Sequence, residues 1–444
     1  MKSIHTIPKA APADIVEFSR NCGVKVDGHA FNPDRIPQLL EPLRVMADPE
    51  VRIGTLVKPV QTGGSTVGEV VLAFWLSFYY GLVQMNWQDD LRAEERWHTR
   101  ILDMLRSVKS LAWAGGRYDE KIGHAKFINS TLIVQGIRAS GALDSETVPF
   151  QINEELHLWP RGDLSKARRR QTLVWLSKAL DISNAGVVGD QLESAYEAGS
   201  MEVWESFCPG CGNPNFEANK SYHAMHFRWD EKRPELGGLR FDPDAGRLPN
   251  GKYNMNKVVP TIRYQMPCGF IVRDTPTERR VVAAGRYRKT NEGALASRRS
   301  WNYEAVSVAE IKLPDVVEQW FDAIRDTKYG ITIRRSDGSE ITPLQRFVQE
   351  VECRFWSPER HVPFSGETIY NPGLKKNRAG MKDRLYRGAK FDWQKGYKAK
   401  GELQHYWGEI WDVDIDANSQ LVWEGMVESE AELLAEIDAL CAAV

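Results

Sequence analysis

Cysteine is scarce in this sequence, with six in 444 residues. A secreted disulfide framework would need a denser set, so the composition predicts a reducing compartment. The N-terminus lacks the apolar core of about 7–15 residues that marks a signal peptide. No apolar run reaches the roughly 18 residues of a membrane-spanning helix, and the longest, 70–83, is interrupted by Ser77. These absences predict a soluble intracellular protein.

The sequence also lacks a charge imbalance. Its 58 lysines and arginines stand against 60 aspartates and glutamates, a net charge of −2 at pH 7. This excludes a uniformly basic nucleic-acid-binding protein, so any such contact must come from local basic patches. Two patches are present, at 168–170 and 279–299, and a solvated helix face is the plainer interpretation of each. The length predicts about two or three domains.

Strand-like and helix-like segments alternate between residues 45 and 195. Strands are predicted at 51–57, 82–87, 127–136, 148–156 and 179–183. A helix with apolar residues at i, i+3 and i+4 runs from Val67 to Tyr79, and further helices are predicted at 90–108 and 167–178. This alternation predicts an α/β fold with a mostly parallel, doubly wound sheet.

A candidate phosphate-binding loop joins the first strand of this array to its helix. It consists of Gln61, Thr62, Gly63, Gly64, Ser65 and Thr66. Glycines let backbone N–H groups turn toward a phosphate, the helix N-terminus attracts anions, and the Ser65 hydroxyl would ligate Mg²⁺. The lysine of the usual GxxxxGKS/T pattern is replaced by Gly64, so we expect Lys58, the only cation within reach of the loop, to supply the positive charge. A plain Gly-Gly turn is the alternative interpretation.

A pair of carboxylates follows in the same array. The strand predicted at 148–156 carries Glu154 and Glu155 near its end. Nucleotide hydrolases need one strand-end carboxylate to hold Mg²⁺ and a second to polarise the attacking water. Open α/β sheets bind their ligands at the carboxyl ends of their strands. Two glutamates at a solvated strand end are the alternative, but their occurrence together with the loop favours a nucleotide hydrolase.

The region from Phe31 to Gly212 resembles the large terminase subunit of lambda-like tailed phages, the ATP-driven DNA-packaging motor. The segments PQLLEPLRVMADPEVRIGTLVKPVQTGGST, FINSTLIVQGIRAS, GALDSETVPFQINEELHLWP, ISNAG and CPGCG carry the match, in family order. The resemblance implies a P-loop ATPase core of the RecA/ASCE type, in which Lys58 is the lysine at the front of the loop. It also implies that Ser183 and Asn184 form the coupling motif that senses the γ-phosphate.

The resemblance implies roles for the two carboxylates as well. Counted back from Pro160, Glu154 takes the position of the Mg²⁺-site aspartate, together with Ser65, and Glu155 that of the catalytic glutamate. His157 then stands where the family has a third acid. An alternative register places Asn153 and Glu154 in the first two roles. We prefer the first register because asparagine is a poorer partner for Mg²⁺-bound water.

Cys208 and Cys211 form a CxxC turn that is typical of a zinc ribbon. The resemblance implies a second pair downstream, of which Cys268 is the remaining member. Three thiolates with His223 or His226 would complete a zinc site. A relic that binds no metal is equally compatible with the sequence.

The end of the chain resembles the opening of the RNase H-like nuclease that follows the motor in this family. Asp392 falls at the first-strand carboxylate, and a helix is predicted at 429–443. We therefore expect four regions. They are an N-terminal helical segment at 1–45, a P-loop ATPase core at 46–200, a Cys-containing linker with the basic run at 201–380, and an incomplete RNase H-like segment at 381–444.

The leading interpretation is an ATP-driven terminase motor that uses ATP and Mg²⁺, with zinc as a candidate cofactor. The resemblance implies double-stranded DNA, the terminase small subunit and the portal protein as partners. It also implies a homo-oligomeric ring on the capsid in the host cell cytoplasm, without a membrane. Two alternatives remain. One is another P-loop DNA translocase or helicase, which would need a second RecA-like domain. The other is a zinc-ribbon DNA-binding protein with a degenerate ATPase core.

We expect this chain alone to show no Mg²⁺- or Mn²⁺-dependent cleavage of plasmid DNA, even where its ATPase is active. The RNase H arrangement needs about three carboxylates converging on two metal ions, and Asp392 is the one match. Asp412, Asp414 and Asp416 alternate along a single predicted strand instead of converging from several. A nicking assay checks this. Cleavage that survives repurification and disappears in Asp392→Ala would show that a metal site is complete.

Overall fold

The computed structural model describes most of the chain and divides it into two compact units, Met1–Trp356 and Ser357–Val444. The described residues are 14–26, 29–116, 120–138, 147–211, 222–228, 237–248, 252–357, 388–397, 405–413, 419–427, 429 and 432–437. Among them, no helix combines the length and the apolar character needed to cross a membrane.

Eleven α-helices and eighteen strands have assigned bounds in the described part of the first unit. The helices are α1 (Ile15–Asn21), α2 (Leu40–Ala47), α3 (Gly64–Phe78), α4 (Asp90–Arg96), α5 (Leu102–Ser107), α6 (Asp163–Arg169), α7 (Gln191–Glu197), α8 (Met255–Val258), α9 (Pro276–Ala283), α10 (Leu313–Lys328) and α11 (Pro343–Glu350). The strands are β1 (Lys25–Val26), β2 (His29–Ala30), β3 (Ile53–Val57), β4 (Gly81–Trp87), β5 (Glu120–Lys121), β6 (His124–Lys126), β7 (Ser130–Gly136), β8 (Phe150–Glu154), β9 (Lys178–Ser183), β10 (Glu202–Phe207), β11 (Tyr222–Ala224), β12 (Gly238–Arg240), β13 (Arg263–Gln265), β14 (Ile271–Val272), β15 (Gly285–Arg288), β16 (Arg298–Asn302), β17 (Ile333–Arg334) and β18 (Glu340–Ile341).

An eleven-stranded sheet organises this unit, in the order β11-β10-β16-β3-β9-β8-β4-β7-β6-β5, with β15 also paired to β10. The strands from β10 to β7 in this order run parallel to one another. The prediction of an α/β fold with a mostly parallel sheet is therefore confirmed. The sheet also includes β10, β11, β15 and β16, which come from beyond residue 200.

The centre of the sheet is covered on both faces, as is usual for parallel strands. Every residue of β8 and of β9 is buried. The helix α3 is apolar on almost all sides because it lies against this centre, where Trp75 packs on Phe150 with ring centroids 5.1 Å apart. Since β3, β9 and β8 are parallel neighbours, their carboxyl ends meet at one edge of the sheet.

Two helix predictions need correction. The helix predicted at 90–108 is interrupted by a π-helical turn, Trp97–Ile101, between α4 and α5. The helix predicted at 167–178 is wrong, since α6 ends at Arg169 and turns follow it. The Gln171 side chain ends this helix by donating hydrogen bonds to the carbonyls of Pro149 and Lys178, which draws the chain toward the start of β9.

The second unit contains a three-stranded antiparallel sheet, β19 (Gly388–Tyr397), β20 (His405–Val413) and β21 (Ser419–Val427), in that order. Asp392 lies on β19, paired with Trp407 of β20. Residues 432–437 are helical, within the helix predicted at 429–443. Asp412 lies on β20, whereas Asp414 and Asp416 fall outside the described residues.

Candidate active site

The loop between β3 and α3 is held at the carboxyl edge of the sheet. Its first residue, Lys58, donates its backbone N–H to the carbonyl of Ser183 at 3.0 Å. Gln61 adopts a left-handed conformation with φ 57°, and Gly63 caps the N-terminus of α3. The Thr62 hydroxyl donates to the Pro59 carbonyl at 2.8 Å. The loop is therefore a preformed turn backed by a helix N-terminus, as an anion site requires.

The side chain of Lys58 folds back along this loop onto α3. A Cβ atom at Gly64 would lie 2.7 Å from Cδ of Lys58 and 2.8 Å from its Cε, so only glycine leaves room for the lysine. The side chain is almost fully buried, and its Nζ donates to Oδ1 of Asn184 at 3.1 Å. The residue that replaces the usual lysine of the loop thus creates the space that Lys58 occupies.

Glu154 lies fully buried at the end of β8, beside the same helix. Its Oε2 accepts a hydrogen bond from the Ser65 hydroxyl at 3.2 Å. A Cβ atom at Gly68, one turn after Gly64, would lie 2.9 Å from its Oε1. Burial, with the nearby charge of Glu155, raises the pKa of Glu154 to about 8.

The pair of Ser65 and Glu154 fits a divalent cation. Among the described residues, Oε1 of Glu154 has no hydrogen-bond partner although it is buried. A buried carboxylate oxygen of this kind is costly unless a proton or a cation satisfies it. Oxygen donors from a hydroxyl and a carboxylate are the ligands that Mg²⁺ prefers.

Glu155 turns away from its neighbour. It adopts a left-handed conformation with φ 56°, which costs a residue with a side chain on the order of 1 kcal/mol. Its N–H donates to the Ile182 carbonyl at 2.9 Å, and its Oε2 lies 3.4 Å from Nδ1 of His157. The turn keeps the two carboxylates apart, with Glu154 directed toward α3 and Glu155 partly exposed.

His157 connects Glu155 to the end of β9. Its Nδ1 lies 2.9 Å from the Ser183 hydroxyl. Burial, aided by positive charges that include Arg335 and Lys58, lowers the pKa of His157 to about 4. The imidazole is therefore neutral at neutral pH. The predicted coupling residues thus contact both halves of the site, since Ser183 meets His157 and Asn184 meets Lys58.

Asn153 faces the opposite surface of the sheet from Glu154. Its Nδ2 donates to Oδ1 of Asp181 at 2.8 Å, and its Oδ1 accepts from Asn86 at 2.9 Å. Arg168 pairs with the other oxygen of Asp181. This buried network links three neighbouring strands and holds the Asn153 side chain within the sheet.

A second cation, which was not predicted from the sequence, lies near the loop. Arg100 lies on the π-helical turn and pairs with the buried Glu69 of α3, with Nε to Oε1 at 2.8 Å. Its Nη2 also donates to the Thr66 hydroxyl at 3.3 Å. The expectation that Lys58 alone supplies positive charge here is therefore wrong. A π-helical turn cannot be recognised from apolar periodicity, which gave no signal for Arg100.

Several arginines of the two basic patches make hydrogen bonds and ion pairs that stabilise the fold. Arg279 is 2% exposed and donates to the carbonyls of Val306 and Val308 at 2.8 and 2.9 Å. Arg299 pairs with the carboxylates of Glu41 and Glu202. The run at 279–299 is therefore not a continuous solvated face, because acceptors from distant segments engage its side chains.

The structure brings the predicted cysteines together. Cys208, Cys211 and His223 place their ligand atoms within 4.8 Å of one another, and Sγ of Cys268 lies 3.4 Å from Sγ of Cys208. Within the described part of the chain, Nε2 of His223 is buried without a hydrogen-bond partner. The other candidate, His226, pairs with a glutamate instead. Thiolates and a neutral imidazole with an unsatisfied nitrogen fit a zinc ion.

Comparison with known proteins adds a family to this geometry. Residues 28–240 match the family model described as phage terminase large subunit gpA, ATPase domain. No curated protein sequence matches the chain.

Solved structures of large terminases show weaker similarity. The ATPase domain of the large terminase of Thermus phage P74-26 is 14% identical, with a TM-score of 0.36 over 69% of this chain and 89% of that one. A large terminase from a thermophilic bacteriophage is 15% identical, with a TM-score of 0.30 over 37% of this chain and 42% of that one. The family model therefore carries the assignment. Residues 28–240, just under half of the chain, are similar to the ATPase domain of the phage terminase large subunits of the gpA family, the ATP-hydrolysing motor of phage DNA packaging.

Proposed function

We propose that ATP is hydrolysed at the sheet edge where Lys58, Ser65, Glu154 and Glu155 meet. The observation that carries this proposal is the packing of Lys58 into the space beside Gly64, which brings a cation to a loop that lacks the usual lysine. Lys58 and the loop at 61–66 would hold the phosphates of ATP. Ser65 and Glu154 would hold Mg²⁺, which offsets the negative charge of the phosphates.

Glu155 would orient and deprotonate the attacking water. The water oxygen forms a bond to the γ-phosphorus, and the bond from that phosphorus to the bridging oxygen of ADP breaks. The products are ADP and inorganic phosphate, and Glu155 takes the proton released by the water. The partly exposed position of Glu155, beside a neutral His157, leaves room for that water at the strand ends.

The change of nucleotide state on hydrolysis would be transmitted to the rest of the protein through the end of β9. In the structure, Lys58 donates to Asn184, and this bond must loosen when the amine turns toward a phosphate. Ser183 contacts His157 and so registers the position of Glu155. We propose Ser183 and Asn184 as the coupling residues for this reason.

The ATP-driven motor would act on double-stranded DNA. We propose a homo-oligomeric ring on the capsid in the host cytoplasm, with the portal protein and the small subunit as partners. We also propose an N-terminal helical segment at 1–45, an ATPase core at 46–200 whose sheet is extended by strands of the Cys-containing region at 201–380, and an RNase H-like segment at 381–444. The antiparallel strands β19–β21, followed by a helix, are compatible with the start of an RNase H-like fold.

We expect the purified chain to hydrolyse ATP in the presence of Mg²⁺ and to be stimulated by double-stranded DNA. Lys58→Ala should remove most of the turnover, at least about 10²-fold, and weaken ATP binding, because the phosphates lose a buried cation. Phosphate release and fluorescent-nucleotide binding measure the two effects. Lys25→Ala, an exposed lysine of β1, is the control. ATP binding and turnover at wild-type levels in Lys58→Ala would contradict the assignment.

Glu155→Gln should separate hydrolysis from binding. We expect Mg-ATP affinity near that of the wild type and turnover reduced about 10²-fold or more, because a water-positioning base acts on the transition state. Glu154→Gln should weaken Mg²⁺-dependent binding instead. Single-turnover hydrolysis and nucleotide titrations at several Mg²⁺ concentrations distinguish the two variants. The reverse pattern would mean that the register is shifted by one residue.

We further propose that Cys208, Cys211, Cys268 and His223 hold one zinc ion that fixes the knuckle at 208–211. Elemental analysis should find about one zinc per chain, and Cys211→Ser should lose it. Chelation should lower the midpoint of thermal unfolding by about 5 °C or more, because the metal constrains distant segments. Cys22→Ser, which changes a buried cysteine elsewhere, should keep the zinc. A metal-free wild-type chain with an unchanged unfolding midpoint would mean that the cluster is a relic.

A further inference from the structure

The phosphate loop at 61–66 is anchored by a tyrosine from a distant part of the chain. Tyr303 comes directly after β16, whose last residue, Asn302, pairs with Val57 at the end of β3. Because the two strands are parallel, Tyr303 lies beside the point where the chain leaves β3 and enters the loop. Its side chain is 2% exposed, and a buried tyrosine hydroxyl usually has a hydrogen-bond partner.

That partner is Thr62, the second residue of the loop. The hydroxyl oxygen of Tyr303 lies 2.9 Å from Oγ1 of Thr62 and 3.5 Å from the Thr62 carbonyl oxygen. Because the Thr62 hydroxyl donates its proton to the Pro59 carbonyl, the Tyr303 hydroxyl is the donor to Oγ1 of Thr62. Two consecutive hydrogen bonds therefore run from Tyr303 through Thr62 to Pro59 and hold the loop in its turn.

A second anchor lies on the other side of Gln61. The N–H of Val60 donates to the carbonyl of Glu350, the last residue of α11, at 2.8 Å. Gln61, between the two anchored residues, has a left-handed conformation with φ 57°. A residue with a side chain keeps this conformation only where its surroundings hold it. Since Val60 and Thr62 are fixed from outside the loop, they hold Gln61 in a conformation that its own side chain disfavours.

The anchored turn is the form of the loop that would receive phosphates. Thr62 directly precedes Gly63, the N-cap of α3. Glycine has no side chain, so no capping group competes with a phosphate for the first N–H groups of this helix. A loop that is released at Thr62 would change the direction of these N–H groups. The contact with Tyr303 therefore bears on how well the loop is arranged for an anion before one binds.

We propose that Tyr303 is a positioning residue for nucleotide binding: through Thr62 it holds the phosphate loop in the shape that receives the phosphates of ATP and ADP. The inference rests on the proposed function, because it concerns the same loop. Tyr303 lies outside the matched segment 28–240, so the ATP site depends on a residue from beyond that segment. A preorganised loop lowers the cost of ordering it on binding, so the hydroxyl contributes to affinity and not to the chemical step.

The test compares Tyr303→Phe with the wild type in the full chain, because this substitution keeps the ring and removes only the hydroxyl. We expect KM for Mg-ATP and the dissociation constants of Mg-ATP and ADP to rise together by about 3- to 10-fold, the range that one hydrogen bond supports. The kcat should stay within about twofold of the wild type. Steady-state hydrolysis with double-stranded DNA and fluorescent-nucleotide titrations measure these values.

Tyr264→Phe is the matched control. Tyr264 is also fully buried, and its hydroxyl accepts a hydrogen bond of 2.8 Å from the N–H of His226 instead of contacting the loop. This variant should lower the midpoint of thermal unfolding about as much as Tyr303→Phe does and leave KM unchanged. A purely structural role of Tyr303 would give the two variants the same effects.

A double-mutant cycle tests the route through Thr62. Thr62→Val should weaken nucleotide binding by itself, because it removes the hydroxyl that links Tyr303 to Pro59. Adding Tyr303→Phe to it should weaken binding little further, since the group on which Tyr303 acts is already absent. Fully additive effects of the two substitutions would contradict the proposed route and overturn the inference.

The remaining outcomes separate the inference from the proposed function. Wild-type KM and nucleotide affinities in Tyr303→Phe would overturn the inference, and so would an equal rise of KM in Tyr264→Phe. A lower kcat with unchanged affinities would overturn it as well, because Tyr303 would then act on the chemical step. A wild-type chain that neither binds nor hydrolyses ATP would overturn the proposed function itself, whereas an active wild type with an unaffected Tyr303→Phe variant would overturn the inference alone.

Discussion

The close packing of two ionisable side chains against glycines of one helix is the constraint on which the site depends. Gly64 leaves room for the stem of Lys58, and Gly68, one turn later on α3, leaves room for the carboxylate of Glu154. Both side chains are thereby taken out of water at the N-terminal end of that helix. Because desolvation makes a lone buried charge costly, bound phosphates would stabilise the Lys58 amine and a bound cation would stabilise the Glu154 carboxylate.

The sheet fixes the positions of the strand ends on which this packing depends. Strands buried on both faces cannot slip by one residue without moving polar side chains into apolar layers. The network of Asn86, Asn153 and Asp181 adds directional hydrogen bonds that hold β4, β8 and β9 in register. Fixing that register directs Glu154 toward α3 and leaves Glu155 to turn outward. The strain at Glu155 is tolerated because its N–H is paired with β9.

Elements from beyond residue 200 extend the central sheet and its carboxyl edge instead of forming a separate layer. The strand β16 pairs with β3, so the phosphate loop has sheet neighbours on both sides. At the C-terminal end of α11, the Glu350 carbonyl accepts a hydrogen bond from Val60 of the same loop, and Gln349 donates to the Gly186 carbonyl after β9. The hairpin before α11 accepts a hydrogen bond from Gln88, the residue after β4. A motor must link the chemistry at its strand ends to motion elsewhere, and this segment supplies direct contacts to the ends of β3, β4 and β9.

The local sequence pattern was enough to locate β3, β4, β8 and β9 within a few residues, and with them the loop and the paired glutamates. This is because short stretches of sequence determine which strand residues are buried and where a turn forms. Other features depended on tertiary structure. The helix expected at 167–178 ends at Arg169, and Gln171 bonds to the carbonyls of Pro149 and Lys178. Arg279, predicted to be part of a basic patch, is buried because its acceptors lie after residue 305. The hydrogen bond from Gln349 to the Gly186 carbonyl likewise joins residues that are far apart in the chain, and no spacing rule encodes such a contact.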